Sequence, residues 1–339
     1  MIKVVISFLA GAVIVAGIFL GQPYLRDTPP SPLASKASTL AVERMMEGLQ
    51  PHLLAFTTGD VKTQRDILDQ YFYGPKIVEA RKLYPVIEQV RDIGGVYVEV
   101  FEPAEGIAPA NEARVLINLH GGGFSMGART EGRLESIPVA SVAGMRVISI
   151  DYRQGPEHTF PAASEDVAAV YSKLLEQYQP QQIGIFGCSA GGLLTAQSVA
   201  WFAHNNLPQP GAIGIFCSGA GEFLVGDAAL ISDVLGTGLG GDSPIEYFSG
   251  ASWKDPLVAP LGHPEVLEQF PPSLIITSTR DLALSSAIAT HQQLIGAGRQ
   301  SELHVYEGLS HYFFSDTGLP ESRQVFDVTA RFFDMHLAR

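Results

Sequence analysis

The feature that most constrains the fold is a largely apolar run that ends in a serine flanked by glycines. Residues 183–186 read Ile-Gly-Ile-Phe, then Gly187-Cys188-Ser189-Ala190-Gly191 follows, and residues 193–203 form a helical pattern. This order predicts a strand, a sharp turn and a helix, and the turn raises the serine hydroxyl above the end of the strand. A glycine-rich turn without chemistry is the alternative, because a chain with 35 glycines can contain this motif by chance.

Apolar runs alternate with helical patterns in the chain after Gly95. Besides the run that begins at Ile183, strands are predicted at residues 96–101, which alternate like an edge strand, and at 114–119, 145–150, 211–216, 273–277 and 303–306. Helices are predicted at 164–178, with Ser164 as the N-cap, at 284–294 and at 323–337. The alternation predicts an α/β fold, with a mostly parallel central sheet flanked by helices. Functional groups are then expected at the carboxyl ends of the strands.

The chain divides into four parts. Residues 1–26 are interpreted as a membrane anchor or signal segment, 27–38 as a linker rich in Pro, Ser and Ala, 39–94 as a helical cap region, and 95–339 as the α/β domain that carries the candidate site. Helices that precede the first strand can cover a site on the sheet, or simply pack against the sheet, and the two interpretations are compatible.

The first of these parts contains the uncharged run Val4–Gly21. The run is at the lower length limit of a membrane-spanning helix and is long for the core of a signal peptide, and no small-x-small cleavage site follows directly. An uncleaved anchor is therefore favoured over a cleaved signal and over a buried helix. Because Lys3 and the amino terminus carry positive charge, we expect the remainder on the periplasmic or extracellular side.

Charge and cysteine content exclude several classes of protein. The formal net charge of −13 argues against nucleic acid or an anionic membrane surface as the main partner. The two cysteines, Cys188 and Cys217, are too few for a disulfide framework and are predicted to be free, buried thiols. The chain has neither the Cys/His spacing of a zinc site nor a phosphate-binding glycine motif, so the sequence implies no metal and no cofactor.

A second glycine motif follows the strand predicted at 114–119. It reads His120-Gly121-Gly122-Gly123-Phe124. Without Cβ atoms, Gly122 and Gly123 can turn their amides toward a substrate carbonyl, and the N–H of Ala190 is a further donor. The three amides are therefore predicted to form an oxyanion hole, while a plain strand-end turn is the alternative.

A serine nucleophile also needs a base and a group that orients the base. Of the nine histidines, His311 lies between the last predicted strand and the last predicted helix, where the order Ser…Asp…His puts the base. Asp281 follows the strand predicted at 273–277 and is the candidate acid. The alternatives are a structural loop histidine at 311 and an N-cap role for Asp281 before the helix at 284–294.

Residues 219–270 interrupt the alternation. The segment is rich in Gly and Pro and contains Tyr247, Phe248 and Trp253. Because a loop this long in a compact domain is usually functional, part of it is expected to contribute to the substrate pocket.

Together, these stretches resemble the hormone-sensitive lipase family (family IV) of α/β-hydrolase carboxylesterases. The resemblance covers residues 95–339 and is carried by HGGGF at 120–124, the run from Asp151 to Asp166, GCSAGG at 187–192, and the pair Asp281 and His311. It implies an α/β-hydrolase fold with an N-terminal cap, esterase activity on short to medium acyl esters through a Ser189-Asp281-His311 triad, and a structural role for residues 151–166. One departure is Cys188, where the family usually has aspartate.

A serine ester hydrolase acting on a small-molecule ester is thus the favoured function. A lactonase or amidase with the same triad is the second hypothesis, because the motifs do not separate these reactions. The third is a non-catalytic small-molecule-binding protein on the same fold. The natural substrate and the oligomeric state are not specified by the sequence.

Overall fold

The computed structural model describes residues 31–44, 49–228 and 245–339. The predicted anchor Val4–Gly21 lies outside these residues. Among the described residues, no helix combines the length and apolar character needed to cross a membrane.

The described strands form one eight-stranded sheet with the order β1-β2-β4-β3-β5-β6-β7-β8. All neighbours from β4 to β8 pair in parallel, whereas β1 and β2 are antiparallel additions. The strands are β1 (Val86–Ile93), β2 (Val96–Pro103), β3 (Val115–Leu119), β4 (Arg146–Ile150), β5 (Ile183–Cys188), β6 (Ala212–Phe216), β7 (Ser273–Arg280) and β8 (Ser301–Ser310). Every residue of β3, β5 and β6 is buried, which explains their nearly continuous apolar sequences.

Helices cover both faces of the sheet, as the alternation predicts. In chain order they are α1 (Lys36–Arg44), α2 (Leu53–Thr58), α3 (Val61–Ile67), α4 (Gly74–Leu83), α5 (Glu131–Ala143), α6 (Ala162–Leu174), α7 (Ala190–His204), α8 (Pro264–Leu267), α9 (Leu284–Gly296) and α10 (Pro320–His336). Helices α5 and α10 pack with the N-terminal helices in one apolar cluster, while α6, α7 and α9 pack in a second. The predicted α/β-hydrolase architecture is therefore confirmed.

The last part of the region predicted as helical, residues 39–94, is not helical. Val86–Ile93 is not helical but forms the edge strand β1, which pairs with β2 across the tight turn Gly94-Gly95. Both glycines have positive φ angles, of 67° and 82°, and such turns match the twist of a hairpin. As a result, β2 is an inner strand and not the edge strand that its alternation indicates.

Two other element boundaries also differ from the prediction. Helix α1 begins at Lys36, inside the predicted linker, because Glu321 of α10 accepts hydrogen bonds from the hydroxyls of Ser35 and Ser38 and fixes this segment on the domain. Helix α6 begins two residues earlier than predicted, with Pro161 at the N-cap position, so Ser164 is a buried residue within the helix.

The N-terminal helical region at residues 49–83, called the cap below, contacts the loop that follows β3 through Arg65 and Asp69. A π-helical stretch, Leu68–Tyr73, joins α3 to α4, and α4 packs against α5. Arg65 fastens the cap because its guanidinium donates to the carbonyl of Ser125 at 2.7 Å and to that of Gly155 at 2.9 Å. It also forms two hydrogen bonds with the carboxylate of Glu157.

The start of β3 is tied to the end of α10 by one buried cation. Arg114 is 1% exposed, and its guanidinium donates to Asp334 Oδ1 at 2.7 Å and to the carbonyls of Leu337 and Ala338 at 2.8 and 3.1 Å. Charged hydrogen bonds in a buried place contribute more than surface pairs, because removing one partner leaves the others unsatisfied.

We therefore expect Arg114→Ala to lower the free energy of unfolding by about 2–4 kcal/mol. The matched control is Arg323→Ala, since Arg323 pairs with Asp327 one turn along α10 and both side chains are about half exposed. Such a pair is worth roughly 0.5 kcal/mol or less. Urea unfolding followed by circular dichroism measures both changes, and equal losses for the two variants would contradict this account of Arg114.

Candidate active site

Ser189 lies in the sharp turn between β5 and α7. Its φ of 55° and ψ of −120° are unfavourable for a residue with a side chain, and such strain is concentrated at functional sites. The turn is possible because of its glycines: a Cβ on Gly187 or Gly191 would lie 2.1 or 1.7 Å from the carbonyl oxygen of Leu119. The amide of Ser189 donates to the carbonyl of Phe216 at 2.8 Å, which fixes the turn on β6. The predicted strand, turn and helix are therefore present.

His311 and Asp281 are brought together at the carboxyl ends of β8 and β7. His311 Nδ1 is 2.7 Å from Asp281 Oδ1, and both residues are buried. The carboxylate is held from both sides, since Oδ1 also accepts from the amide of Ala283 and Oδ2 accepts from Thr277 Oγ1, each at 2.9 Å. The imidazole orientation is thus set by an acid that is itself fixed.

The electrostatics of this pair favour charge on both partners. Burial raises the pKa of Asp281, but the charge and hydrogen bond of His311, with the bonds from Ala283 and Thr277, outweigh this effect and lower the pKa below its usual value. Burial lowers the pKa of His311, yet the charge and hydrogen bond of Asp281, with the charge of Glu131, raise it above its usual value. An ionised carboxylate only accepts, so the proton lies on Nδ1, and Nε2 is left to accept another.

Two thiols connect the serine turn to this pair. Cys188 immediately precedes Ser189, and burial together with a hydrogen bond to Cys217 raises the pKa of its thiol well above the usual value. Atoms of Cys217, Asp281 and His311 lie within 4.8 Å of one another, and the amide of Tyr312 contacts Cys217 Sγ at 3.4 Å. Both cysteines are free and buried, as predicted. Ser189, Asp281 and His311 therefore lie at the same edge of the sheet.

The oxyanion loop, residues 120–127, passes beside the serine turn. Gly122 and Gly123 have positive φ angles, of 90° and 62°, and a Cβ on Gly122 would lie 2.2 Å from the carbonyl oxygen of Met126. A Cβ on Gly121 would lie 3.0 Å from the carbonyl oxygen of Cys188, which places the loop against the turn. Ala190 is the first residue of α7. The role of the three amides as oxyanion donors stays a prediction.

Residues 151–166 support this loop. Tyr152 stacks on His120 with ring centroids 4.3 Å apart, and its hydroxyl donates to the carbonyl of His120 at 2.7 Å. Burial lowers the pKa of His120 to about 4, so this imidazole is neutral at ordinary pH. Arg153 forms an ion pair with Asp166 at the start of α6. These contacts are structural in kind, as the resemblance implies for this run.

Part of the predicted insertion also packs on the oxyanion loop. Tyr247 stacks on Phe124 with ring centroids 4.8 Å apart, and Phe248 contacts the same ring edge-on at 5.0 Å. Residues 229–244 of the insertion lie outside the described residues. The contribution of this segment to a substrate pocket stays a prediction.

The sequence did not predict a set of polar residues behind the oxyanion loop. The set comprises Arg65, Tyr73, Glu131 and Glu135. Glu131 Oε2 accepts from the Tyr73 hydroxyl and Glu135 Oε2 from Asn118 Nδ2, each at 2.8 Å. Both carboxyls are buried although they belong to one helix, and their spacing of four residues puts them on one face. That spacing, within a helix rich in apolar residues, is the signal that could have identified them.

Comparison with known proteins agrees with this geometry. The profile of the α/β-hydrolase fold family matches residues 116–315, from β3 to beyond His311. An acetyl-hydrolase of Streptomyces hygroscopicus is 28% identical over 239 residues, which is 68% of this chain and 78% of that protein. An acetyl esterase of Salmonella schwarzengrund is 29% identical over 192 residues, 53% of this chain and 55% of that protein.

Solved structures are similar over nearly the whole chain. The crystal structure of an esterase matches with a TM-score of 0.78 at 31% identity, covering 92% of this chain and 98% of that one. An esterase from the bacterial hormone-sensitive lipase family has the same fold, with a TM-score of 0.69 at 21% identity, over 96% of this chain and 98% of that one.

The family profile covers more than half of the chain, so this protein belongs to the α/β-hydrolase fold family. More narrowly, it is a carboxylesterase-like hydrolase, and the resemblance of its motifs to the hormone-sensitive lipase family is confirmed.

Proposed function

We propose that Ser189, His311 and Asp281 form a catalytic triad that hydrolyses esters of short or medium acyl chains through an acyl-enzyme. The observation that carries the proposal is the buried 2.7 Å hydrogen bond between Asp281 and His311, at the sheet edge where the turn presents Ser189. A strained serine turn beside a histidine fixed by an acid is the arrangement that acyl transfer by serine requires.

In this mechanism, His311 Nε2 takes the proton of Ser189 Oγ as the oxygen attacks the ester carbonyl carbon. The negative charge that develops on the carbonyl oxygen is stabilised by the amides of Gly122, Gly123 and Ala190. The tetrahedral intermediate then collapses, the C–O bond to the alcohol breaks, and the imidazolium gives its proton to the departing alkoxide. A water molecule, deprotonated by the same imidazole, releases the acid and restores Ser189.

Preference for short acyl groups is supported by the names of two relatives, an acetyl-hydrolase and an acetyl esterase. The test is covalent labelling of the full chain with a fluorophosphonate, followed by kcat/KM for p-nitrophenyl esters of increasing acyl length. Lactones and anilides in the same assay examine the lactonase and amidase alternatives. Absence of labelling would overturn the serine mechanism, and faster turnover of lactones or anilides would overturn the ester preference.

We further propose that the enzyme is exported and tethered to a membrane by residues 1–26. The uncharged run Val4–Gly21 and the lack of an adjacent cleavage site support this. Fractionation is expected to find full-length protein with the membranes, accessible to external protease once any outer barrier is opened. The matched control lacks residues 1–26 and is expected in the soluble fraction with its kcat retained. Full-length protein in the cytoplasmic fraction would contradict the proposal.

A further inference from the structure

Glu131 places a carboxylate directly behind the oxyanion loop. It is the first residue of α5 and is 2% exposed. A Cβ on Gly121 would lie 2.1 Å from Glu131 Oε1, and a Cβ on Gly127 would lie 2.9 Å from Oε2. The carboxylate therefore packs against the backbone at both ends of the loop, in space that exists because these two residues have no side chain.

The same residue joins the loop to the cap and to the histidine segment. The Tyr73 hydroxyl of the cap donates to Glu131 Oε2 at 2.8 Å, and the Tyr312 hydroxyl donates to the backbone carbonyl of Glu131 at 3.3 Å. Tyr312 directly follows His311. Glu131 thus contacts the loop, the cap and the segment that carries the candidate base.

The negative charge of Glu131 favours the protonated imidazole of His311 and so helps to raise the pKa of that residue. Burial raises the pKa of Glu131 itself to about 7, against the lowering effects of the Tyr73 hydroxyl and of the charges on His311 and Lys76. Among the described residues, the titratable groups that face Glu131 and His311 from the surrounding elements are Asp69, Tyr73, Lys76, Glu135, Tyr152, Cys188, Cys217, Asp281 and Tyr312.

A buried carboxylate is costly, and an amide of the same shape would avoid the cost. Since the folded-state pKa of Glu131 lies above its usual 4.5, the unfolded chain releases this proton first, and stability falls as the pH rises from about 4.5 to about 7. Above about pH 7, Glu131 is therefore ionised in the folded enzyme although its charge does not stabilise the fold.

We propose that Glu131 is a positioning residue for ester hydrolysis, whose carboxylate holds the oxyanion loop in place and whose negative charge stabilises the protonated imidazole of His311. This inference rests on the proposed triad. The effect of the shape of the side chain and the effect of its charge can be separated by substitution. Glutamine keeps the shape and can still accept the hydrogen bond from the Tyr73 hydroxyl, but it carries no charge. Alanine removes both the shape and the charge.

The first readout separates kcat from KM at pH 8, where Glu131 is mostly ionised. Glu131→Gln is expected to lower kcat roughly 5- to 10-fold, because the charge is lost while the loop stays supported. Glu131→Ala is expected to lower kcat roughly 10- to 100-fold, because the amides of the loop shift relative to the oxyanion. In both variants KM is expected to change less than about threefold, since the lost interaction acts in the transition state.

The second readout is the acid limb of the pH profile of kcat/KM. Glu131 raises the pKa of His311, so Glu131→Gln is expected to move this limb to lower pH by roughly half a unit to one unit. The matched control is Glu135→Gln, one turn along the same helix and equally buried. Glu135 is not among the groups that raise the pKa of His311, so its amide variant is expected to leave the limb in place.

Melting temperature provides a third readout that a merely structural role would move in the opposite direction. At pH 8, Glu131→Gln is expected to melt at the same or a higher temperature than the unmodified enzyme, because it removes a buried charge. The difference is expected to shrink toward pH 5. If Glu131→Gln has a lower kcat but no lower melting temperature, Glu131 contributes to turnover and not to stability.

Titration with a fluorophosphonate counts the reactive sites, and kcat is calculated per counted site. Poor folding of Glu131→Ala then does not obscure the result. If the unmodified enzyme is active and labelled, but Glu131→Gln has unchanged kcat and an unchanged acid limb, the inference on Glu131 is overturned and the triad stands. An equal shift of the limb in Glu135→Gln would also overturn the assignment of the charge to Glu131. If the unmodified enzyme is not labelled at all, the proposed function itself fails.

Discussion

Replacing Ser189 with alanine is expected to lower kcat for a short-chain p-nitrophenyl ester at least about 10³-fold and to abolish fluorophosphonate labelling. Members of a triad act as a unit, so loss of the nucleophile removes most of the rate enhancement. The matched control is Ser198→Ala in α7, the helix that follows the turn, because the Ser198 hydroxyl donates to the backbone carbonyl of Leu194 within that helix. Its turnover is expected to stay within about threefold of the unmodified enzyme.

Circular dichroism and melting temperature should show both alanine variants folded. Alanine has no easier access than serine to a φ of 55°, so the turn at 189 keeps its strain. Full activity in purified Ser189→Ala protein would refute the serine mechanism, and retained labelling would point to another nucleophile, with Cys188 the nearest candidate in the chain.

Asp281 allows a finer prediction, because its two oxygens have different partners. Oδ1 accepts from both the Ala283 amide and His311 Nδ1, whereas Oδ2 accepts from the Thr277 hydroxyl. In Asp281→Asn, the Ala283 amide requires the carbonyl oxygen of the side chain at the Oδ1 position, and the new NH₂ group faces Thr277, whose hydroxyl can accept. His311 Nδ1 can then still donate, so the reactive tautomer is preserved and only the charge is lost.

We therefore expect Asp281→Asn to lower kcat roughly 10²- to 10³-fold, less than the roughly 10⁴-fold loss that follows when an amide imposes the wrong tautomer. Asp281→Ala is expected to cost more than Asp281→Asn, because it removes the orienting bond as well. The acid limb of kcat/KM should move to lower pH in Asp281→Asn, since the carboxylate raises the pKa of His311. Thr277→Val, which removes one bond from Oδ2, serves as the matched control, with an expected loss under about tenfold. Equal losses for the amide and the alanine variants would contradict the retained tautomer.

Most strands of the sheet could be predicted from the sequence because the central strands are buried on both faces. A run such as Val115–Leu119 is apolar at most positions, and this pattern depends on local sequence alone. The candidate site follows from the same logic, since Ser189, Asp281 and His311 each come at or just beyond the carboxyl end of a strand and those ends share one edge of the sheet.

Strand β1 could not be predicted from the sequence because it is exposed rather than buried. No residue of Val86–Ile93 is fully buried, so its sequence lacks the apolar period that identifies a strand. Its conformation is imposed by the tight turn at Gly94-Gly95 and by pairing with β2. Edge strands of this kind depend on a neighbour more than on their own composition.

The support behind the oxyanion loop was hidden because it depends on contacts between distant residues. Glu131 reads as an ordinary acid in the first turn of a helix, where negative charge is favourable. Its burial becomes evident only when Tyr73, 58 residues earlier, is placed on it by the cap. Arg65 is a similar case, since its partner Ser125 is 60 residues away. Side-chain networks that join separate parts of the chain leave no periodic signal.

The bonds of Arg114 impose an order on how this protein is made. Its partners Leu337 and Ala338 are synthesised 223 and 224 residues later, although Arg114 immediately precedes β3, an inner strand of the eight-stranded sheet. Until those residues have been synthesised, the Arg114 guanidinium has Asn111 Oδ1 nearby but lacks its partners in and beyond α10. The apolar cluster that α10 completes is also still open. The domain is thus expected to complete its folding only after α10 has left the ribosome.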